Sequence, residues 1–465
     1  MAGFSYLRKG VILFTLFTHF FSASVAQSKI YTLSDLIDSA RVHLPLLDAK
    51  KALIEAAQAG ITDVKNSYLP KLNIGQELSI GTANDVAGNY LPVSGIIHPV
   101  SGGINAQNNY DPQTNNLTSL YAEYELINFG SKKAAINKAK AYSDVQQADF
   151  DKTLYATTIQ VSTIYFDVLK NLALLDVDKQ NINRYQSVYT IIQALTSSGI
   201  NAGVDSSLAK AEISKIKVSY NQRSGIINQL LQRLSYYTGI APADILIDTI
   251  KVHNIVATNL YTTANVTSNP LLTYYEKQQD LYKYSTNVIK KNYLPKVIVI
   301  AGGWARGSSI EYSNNYKSLN NGLGWERFNY IGGIAITYDL LNAVHQKNKL
   351  SINSYEAKAA AYNLQQQQSE INNAAAEARS AIQTAEENLK ELPVQIEAAN
   401  QAYQQKVAQY QAGIINLIDL LNASFILYSA QQSYVETLND WFKANLQNAA
   451  ATGALDQFIQ NLQKQ

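Results

Sequence analysis

The tetrapeptide Tyr68-Leu69-Pro70-Lys71 occurs a second time as Tyr293-Leu294-Pro295-Lys296, at an offset of 225 (293 − 68). Before it, His43-Leu44-Pro45-Leu46-Leu47 is matched at the same offset by Ser268-Asn269-Pro270-Leu271-Leu272. In both copies the two matches frame a segment with apolar residues at helical spacing. Two separated matches at one offset indicate an internal repeat, and this repeat decides the fold.

Further along the chain the matches share a smaller offset. Tyr124-Glu125-Leu126-Ile127-Asn128 corresponds to Tyr338-Asp339-Leu340-Leu341-Asn342 at 214 (338 − 124). The same offset relates three further pairs, which are Gly199 with Gly413, Asp205 with Asp419, and Thr238-Gly239 with Thr452-Gly453. One net deletion of 11 residues (225 − 214) between positions 71 and 124 accounts for every match. The sequence therefore predicts two repeats, at 27–239 and 269–465, joined by a linker at 240–268.

The N-terminus has the three parts of a secretory signal. Arg8 and Lys9 precede the apolar run Val11 to Phe21, and small residues follow at Ser24-Val25-Ala26. The apolar run is too short to cross a bilayer of roughly 30 Å. We therefore expect a signal peptide at 1–26. No later run of roughly 18 apolar residues predicts a membrane-spanning helix.

The first repeat predicts a helix, a strand hairpin and two long helices. Apolar residues at helical spacing cover 32–67, and apolar and polar residues alternate at both ends of 72–128, around a loop at 83–116. The segment 131–198 contains neither Gly nor Pro and has a coiled-coil seam. As a helix it would extend roughly 100 Å. A second helix at 204–238 returns after a glycine-containing turn.

The second repeat predicts the same order of elements. A helix at 270–292 leads to a strand hairpin at 296–342, with strands near 296–305 and 328–342. Long helices follow at 343–412 and 416–452.

Two local features modify this plan. Pro393 lies within the long helix 343–412, where the missing N–H should kink or break it. The linker contains β-branched residues (Ile245, Ile247, Ile250, Val252, Ile255) that predict short strands beside the helices.

Each chain thus supplies about four strands of bilayer-crossing length, roughly 10–13 residues. An open sheet edge in lipid leaves backbone groups unpaired, so the strands of several chains must close together. Two chains would give eight strands and a filled interior, whereas three give twelve and an open lumen. The sequence therefore predicts a mainly α fold with a pair of membrane β-hairpins. Three copies of the chain are expected to form a trimeric 12-stranded β-barrel continued by a long α-helical coiled-coil barrel.

In the order and duplication of these elements, the chain resembles the TolC family of outer-membrane efflux proteins. The resemblance covers essentially the whole mature chain and implies a homotrimer with an equatorial domain at the linker. It implies the outer membrane channel of a tripartite efflux pump or a type I secretion system, extending into the periplasm. The implied partners are a periplasmic adaptor, an inner-membrane pump and outer-membrane lipid. Such a channel is a passive exit duct, gated at its periplasmic helical tip.

The turns between the long helices carry the candidate site. Gly199 and Gly413 are expected to be left-handed helix caps. By resemblance, Gly199-Ile200 and Gly413-Ile414 also contact the adaptor. Asp205 and Asp419 follow these turns and have two interpretations, as helix N-terminal caps or as parts of a charged constriction.

The family pattern is incomplete in the second turn. Tyr410, Gly413 and Asp419 match it, but Asn422 stands where a second aspartate is usual, and Ile415 replaces an arginine. Tyr410 is either an apolar residue of the helical seam or a hydrogen-bond partner of Asp205. One carboxylate ring is therefore expected to be uncharged, and the latch of the gate to differ from the usual one.

Composition excludes several other classes of function. Lys plus Arg (38) nearly balance Asp plus Glu (36), which argues against nucleic-acid binding. The absence of cysteine removes disulfides and a lipid-bearing cysteine. The five histidines are dispersed, and no metal-ligand or catalytic spacing occurs, so we expect no cofactor and no enzyme activity. The alternatives are a structural helical protein of the periplasm with a soluble hairpin, and a periplasmic enzyme with its site on the long Asn/Gly loops.

Overall fold

The computed structural model describes residues 29–84, 106–198, 203–247 and 269–463. The predicted signal peptide, the tip residues Gly199 and Ile200, and linker residues 248–268 lie outside these ranges. The described chain is mainly helical. Its helices are α1 (Leu33–His43), α2 (Pro45–Asn66), α3 (Ser131–Ser197), α4 (Gly203–Thr238), α5 (Pro270–Asn292), α6 (Asn342–Gln411), α7 (Leu417–Thr452) and α8 (Leu455–Gln463). None of them combines the length and the hydropathy needed to cross a membrane.

The predicted single helix at 32–67 is wrong, because the chain forms α1 and α2 there. Thr32 caps α1 by accepting a hydrogen bond from the Asp35 N–H at 3.2 Å. Leu44 then leaves the helical region, with φ −80° and ψ 110°. Pro45 follows as the first residue of α2. A proline disfavours the helical conformation of the residue before it and is itself well suited to begin a helix.

The long helix α6 passes through Pro393 without interruption, so the predicted break is wrong. A proline within a helix removes one backbone hydrogen bond and costs about 3 kcal/mol or more. The cost falls on a helix of 70 residues. Leu389, Leu392 and Ala399 are buried on both sides of the proline. Tertiary packing on either side therefore keeps the helix continuous.

Four strands form one antiparallel sheet in the order β1–β2–β3–β6: β1 (Lys71–Gly81), β2 (Gln113–Ile127), β3 (Lys296–Ser308) and β6 (Arg327–Thr337). β2 begins within the predicted loop at 83–116, of which 85–105 lie outside the described residues. β6 ends before the predicted 342, because Asp339 accepts a hydrogen bond from the Leu341 N–H at 2.9 Å and forms a turn into α6. β4 (Ile310–Glu311) and β5 (Asn315–Tyr316) form a small separate ribbon.

Helices continue the sheet in the same order as its strands. α2 leads into β1, β2 leads into α3, α5 leads into β3, and β6 leads into α6. α2 packs on α3, α3 on α5, and α5 on α6. Strands and helices therefore form one continuous layer, with β1 and α2 at one edge and β6 and α6 at the other.

The main apolar core lies at the middle of α3 and α6 and at the C-terminal parts of α4 and α7. Phe166 of α3 stacks on Phe442 of α7, with ring centroids 5.2 Å apart, and meets Phe458 of α8 edge-on. The start of the linker is packed here, with Ile245 buried. Within its described part, the predicted short strands reduce to a single bridge between Ile30 and Leu246 and a helical turn at Pro242–Asp244.

Candidate functional site at the helical tip

The turn from α6 to α7 ends the long helices with a left-handed glycine. Gly413 has φ 69°, and its N–H bonds to the Tyr410 carbonyl at 3.0 Å. The Ile414 N–H bonds back to the Gln409 carbonyl at 2.9 Å. These two bonds form a Schellman motif, so the predicted left-handed cap is confirmed at Gly413. Ile414 is 72% exposed beside it, which leaves an apolar side chain at the tip open to a partner.

Asn416, rather than Asp419, caps the start of α7. The Asn416 side chain accepts a hydrogen bond from the Asp419 N–H at 2.9 Å. The interpretation of Asp419 as the cap residue is therefore wrong. Asp419 lies in the first helical turn, where a carboxylate stabilises the positive end of the helix. Its side chain is exposed, as is that of Asn422 one turn later.

Tyr410 connects α6 to α4. Its hydroxyl donates a hydrogen bond to Asp205 Oδ2 at 3.4 Å, near the long limit for such a bond. The tyrosine is 3% exposed, and it packs in an apolar cluster with Val188, Leu417 and other residues. Both interpretations from the sequence therefore hold, because the ring belongs to the helical seam while the hydroxyl reaches Asp205. Asp205 is half-buried in the first turn of α4.

Ile415 also joins this cluster as a partly buried side chain. An arginine at this position would bring a charge to the cluster. In this chain Ile415 therefore makes an apolar contact between the α6–α7 pair and the α3–α4 pair.

A buried ionic cluster that no pattern in the sequence predicts lies further along the long helices. Asp178 of α3 is 0% exposed and accepts hydrogen bonds from two other helices. Arg223 of α4 donates to it from Nε at 2.7 Å, and the Tyr428 hydroxyl of α7 donates at 2.6 Å. The Gln432 side chain donates to the Tyr428 oxygen at 2.8 Å. Burial and the hydrogen bond to Asp178 raise the pKa of Tyr428 to about 12.

A second polar contact extends this cluster by about two helical turns of α3. The Arg184 Nη2 donates to Gln431 Oε1 of α7 at 2.9 Å and to Asn181 Oδ1 at 3.2 Å. Burial lowers the pKa of the Arg184 guanidinium from its usual value. The α3–α7 contact is therefore polar between two apolar stretches.

The sheet presents an apolar face to solvent in the single chain. Side chains alternate between the two faces of a strand. One face of the sheet carries a row of large apolar side chains, each of which is more than half exposed. They are Leu72, Ile74, Leu78, Ile80, Leu120, Phe328, Tyr330, Ile334 and Ile336. The other face carries charged residues, including an ion pair between Lys71 and Glu123 at 3.3 Å. A soluble protein does not leave such a large apolar patch in water, so this face must be covered.

Among the described residues, no group of His, Cys, Asp and Glu could hold a metal ion.

Comparison with family models identifies one family. The pattern of the outer membrane efflux protein family matches residues 36–239 and 266–454. No curated protein matches the chain. The fold is similar to that of solved outer-membrane channels. OprN has a TM-score of 0.72 and 17% identity, with 91% of this chain and 90% of that chain covered.

Two further solved structures have a similar fold. The outer membrane protein VceC of Vibrio cholerae gives a TM-score of 0.73 at 16% identity, covering 90% of this chain and 96% of that one. The outer membrane channel CmeC of Campylobacter jejuni gives 0.70 at 14% identity, covering 91% and 86%. The chain belongs to the outer membrane efflux protein family, whose members are passive outer-membrane channels of efflux pumps that extend into the periplasm and are not enzymes.

Proposed function

We propose that three copies of this chain close into a 12-stranded barrel in the outer membrane and form a passive exit duct. The apolar, exposed face of the four-stranded sheet carries this proposal, because lipid would cover it. Among the described strands, β1 and β6 are the edges, and neighbouring strands alternate in direction. β6 of one copy can therefore pair antiparallel with β1 of the next. Closure satisfies both edges, as hydrocarbon requires.

The edge helices support the same closure below the membrane. Leu46 and Leu53 are exposed on α2, and Ile352, Tyr355 and Tyr362 are exposed on α6. If β6 of one copy joins β1 of the next, α6 meets the neighbouring α2 and these side chains become buried. The helices then continue the tube through the periplasm, with the linker 240–268 as an equatorial domain. The two repeats, 27–239 and 269–465, supply equivalent halves of each copy.

The duct is gated at its periplasmic tip. The bond from Tyr410 to Asp205 joins the α6–α7 pair to the α3–α4 pair and favours the closed tip. Three copies place Asp419 and Asn422 around one axis, on the exposed face of α7. The ring of Asp419 carboxylates favours cations at the constriction, and the ring of Asn422 is neutral.

The partners are a periplasmic adaptor and an inner-membrane pump, in a tripartite efflux pump or a type I secretion system. The exposed Ile414 beside Gly413 supports an adaptor contact at this turn, with Gly199 and Ile200 in the equivalent role at the other turn. The structural periplasmic protein is the less favoured alternative, since its sheet would keep the apolar face in water.

Conductance in planar lipid bilayers tests the duct and its constriction together. The purified protein should form cation-preferring channels, and Asp419→Lys with Asn422→Lys should reduce cation passage. Asp176→Lys, at an exposed carboxylate of α3 away from the tip, is the matched control and should leave selectivity unchanged. Absence of channels from the wild-type protein would overturn the duct. Equal selectivity in both variants would show that this turn is not the constriction.

A further inference from the structure

The connection between β3 and β6, residues 309–326, folds back onto the sheet instead of extending beyond it. We call it the outer segment, since it lies at the strand ends farthest from the helices. The Asn116 side chain of β2 donates to the Leu323 carbonyl at 2.6 Å. Trp325 donates from Nε1 to Thr118 Oγ1 at 2.9 Å. Side chains of the neighbouring strand β2 therefore hold the outer segment in place.

The outer segment lies on the apolar face of the sheet. Because side chains alternate along a strand, Asn116 and Thr118 share a face of β2 with Leu120. Ile74 of β1 pairs opposite Leu120 and belongs to that face too. The segment's contacts with Asn116 and Thr118 are therefore on the side proposed to meet lipid.

The outer segment covers a polar patch on this otherwise apolar face, formed by Gln76, Asn116 and Thr118. Gln76 donates from Nε2 to Asn116 Oδ1 at 2.5 Å and accepts a hydrogen bond from Thr118. The free ends of this chain of hydrogen bonds reach the Leu323 carbonyl and Trp325. An unpaired polar group in hydrocarbon costs several kcal/mol, so the outer segment completes pairing that lipid could not provide.

Two glycines allow the backbones to touch. A Cβ added at Gly322 would lie 2.2 Å from the Thr114 carbonyl oxygen, and one at Gly307 would lie 1.7 Å from the Gly324 oxygen. Neither position could hold a side chain without displacing the segment. Gly324 differs, because its added Cβ would meet nothing nearer than 3.9 Å.

The outward side of the segment is amphipathic. Tyr312 is 95% exposed and Trp325 is 57% exposed, and Leu323 is also exposed. Asn320 and Lys317 are exposed among them. Tyr and Trp next to polar residues are typical of the boundary between headgroups and acyl chains.

We propose that the outer segment is a lipid-binding anchor, which rests its aromatic side chains on the headgroup–acyl boundary of the outer leaflet. The occupant is amphiphilic lipid, since the segment is continuous with the apolar sheet face. This inference rests on the proposed function, in which that face meets the membrane. The anchor fixes the depth of the barrel at its outer rim while satisfying the polar patch beneath it.

Tryptophan quenching by brominated lipid tests the anchor. The chain has three tryptophans, Trp304, Trp325 and Trp441, so the wild-type emission minus that of Trp325→Phe reports Trp325. In vesicles of phosphatidylcholine brominated near the headgroup end of the acyl chain, this difference emission should fall about twofold. Bromine at the far end of the chain should quench it less. Trp304 is on the opposite face of β3 and should be quenched by aqueous iodide rather than by lipid.

Two glycine-to-alanine variants test whether the position of the outer segment on the sheet determines the quenching of Trp325. Gly322→Ala should displace the segment and change the quenching of Trp325, whereas Gly324→Ala should leave it as in the wild type. The wild-type measurement decides the matter even if Gly322→Ala fails to fold. Trp325 emission quenched by iodide and insensitive to brominated lipid would overturn the anchor. If conductance persists in that case, the proposed duct stands; absent conductance would instead overturn the duct.

Discussion

Two tyrosine–aspartate hydrogen bonds join the α3–α4 pair to the α6–α7 pair, and they differ in length, burial and charge. Tyr428 reaches Asp178 at 2.6 Å in a site where the carboxylate is fully buried and paired with Arg223. Tyr410 reaches Asp205 at 3.4 Å, and that carboxylate is half-buried at the start of a helix. The same two residue types therefore serve a fixed contact in one place and a loose one in the other.

The difference indicates which contact can open. Removing a partner from a buried ion pair costs about 3–5 kcal/mol, because a charge is left unpaired in the interior. A partly exposed contact contributes about 0–1 kcal/mol, since water replaces the lost partner. We therefore expect the helix pairs to stay joined at Asp178 and to separate at the tip.

The largest expected effect follows from removing Asp178. Asp178→Ala leaves the Arg223 guanidinium and the Tyr428 hydroxyl without their acceptor, so the free energy of unfolding should fall by about 3–5 kcal/mol. Thermal unfolding of the purified protein, followed by circular dichroism, measures the change. Asp176→Ala is the control, because Asp176 is exposed on the same helix. Similar melting temperatures for the two variants would contradict the role of the buried cluster.

A smaller effect is expected from the Tyr428 hydroxyl alone. Tyr428→Phe keeps the ring and the ion pair but removes the hydrogen bond that the hydroxyl donates to Asp178 and the one that it accepts from Gln432. The bond to the charged acceptor is the stronger one, and its loss should cost about 1.5–3 kcal/mol. A double-mutant cycle with Asp178→Ala, which removes the acceptor altogether, tests the contact directly. The two substitutions should be non-additive, since both remove the same hydrogen bond. Additive losses would mean that the hydroxyl stabilises the fold through another partner.

Alkaline pH should weaken the same contact. The pKa of Tyr428 is raised from 10.0 to about 12, so the folded state holds the phenol proton more tightly than the unfolded state. This contribution to stability is fully present below pH 10 and is lost as the pH rises toward 12. The stability of Tyr428→Phe should therefore decline less than that of the wild type over this window. Parallel declines in denaturant titrations at several pH values would contradict the shift.

The sequence predicted the long helices well and the buried cluster not at all, for a physical reason. The segment 131–198 contains neither Gly nor Pro, and such local information sets the bounds of α3. Asp178 lies beside the apolar seam, one position before the seam position expected between Leu175 and Ile182, and is buried together with Leu174 and Val177. A charged residue buried against other helices requires a buried partner. Its partners, Arg223 and Tyr428, are distant in sequence, so only the packing of three helices identifies them.

At the tip and in the outer segment, too, the sequence predicts local turns but not contacts between distant residues. The left-handed turn at Gly413 could be predicted, because it depends on one residue and its neighbours along the chain. The sequence allows two interpretations of Asp419, and the one as N-terminal cap fails because Asn416 supplies the cap; both residue types suit a helix start. For the outer segment, glycine and asparagine content predicts a loop but does not indicate which face of the sheet it covers.

The smallest effect on stability and the clearest effect on function are expected at the tip. Tyr410→Phe keeps the buried ring and removes a long hydrogen bond to a half-buried carboxylate, so unfolding should change by less than about 1 kcal/mol. The closed tip nevertheless loses a contact between the two helix pairs, and single channels in planar bilayers should open more often. Tyr403→Phe, two turns earlier on α6 beside the same apolar cluster, is the control. If both variants open alike, the hydroxyl of Tyr410 does not hold the tip closed; if Tyr410→Phe alone opens, the loose contact is the one that moves.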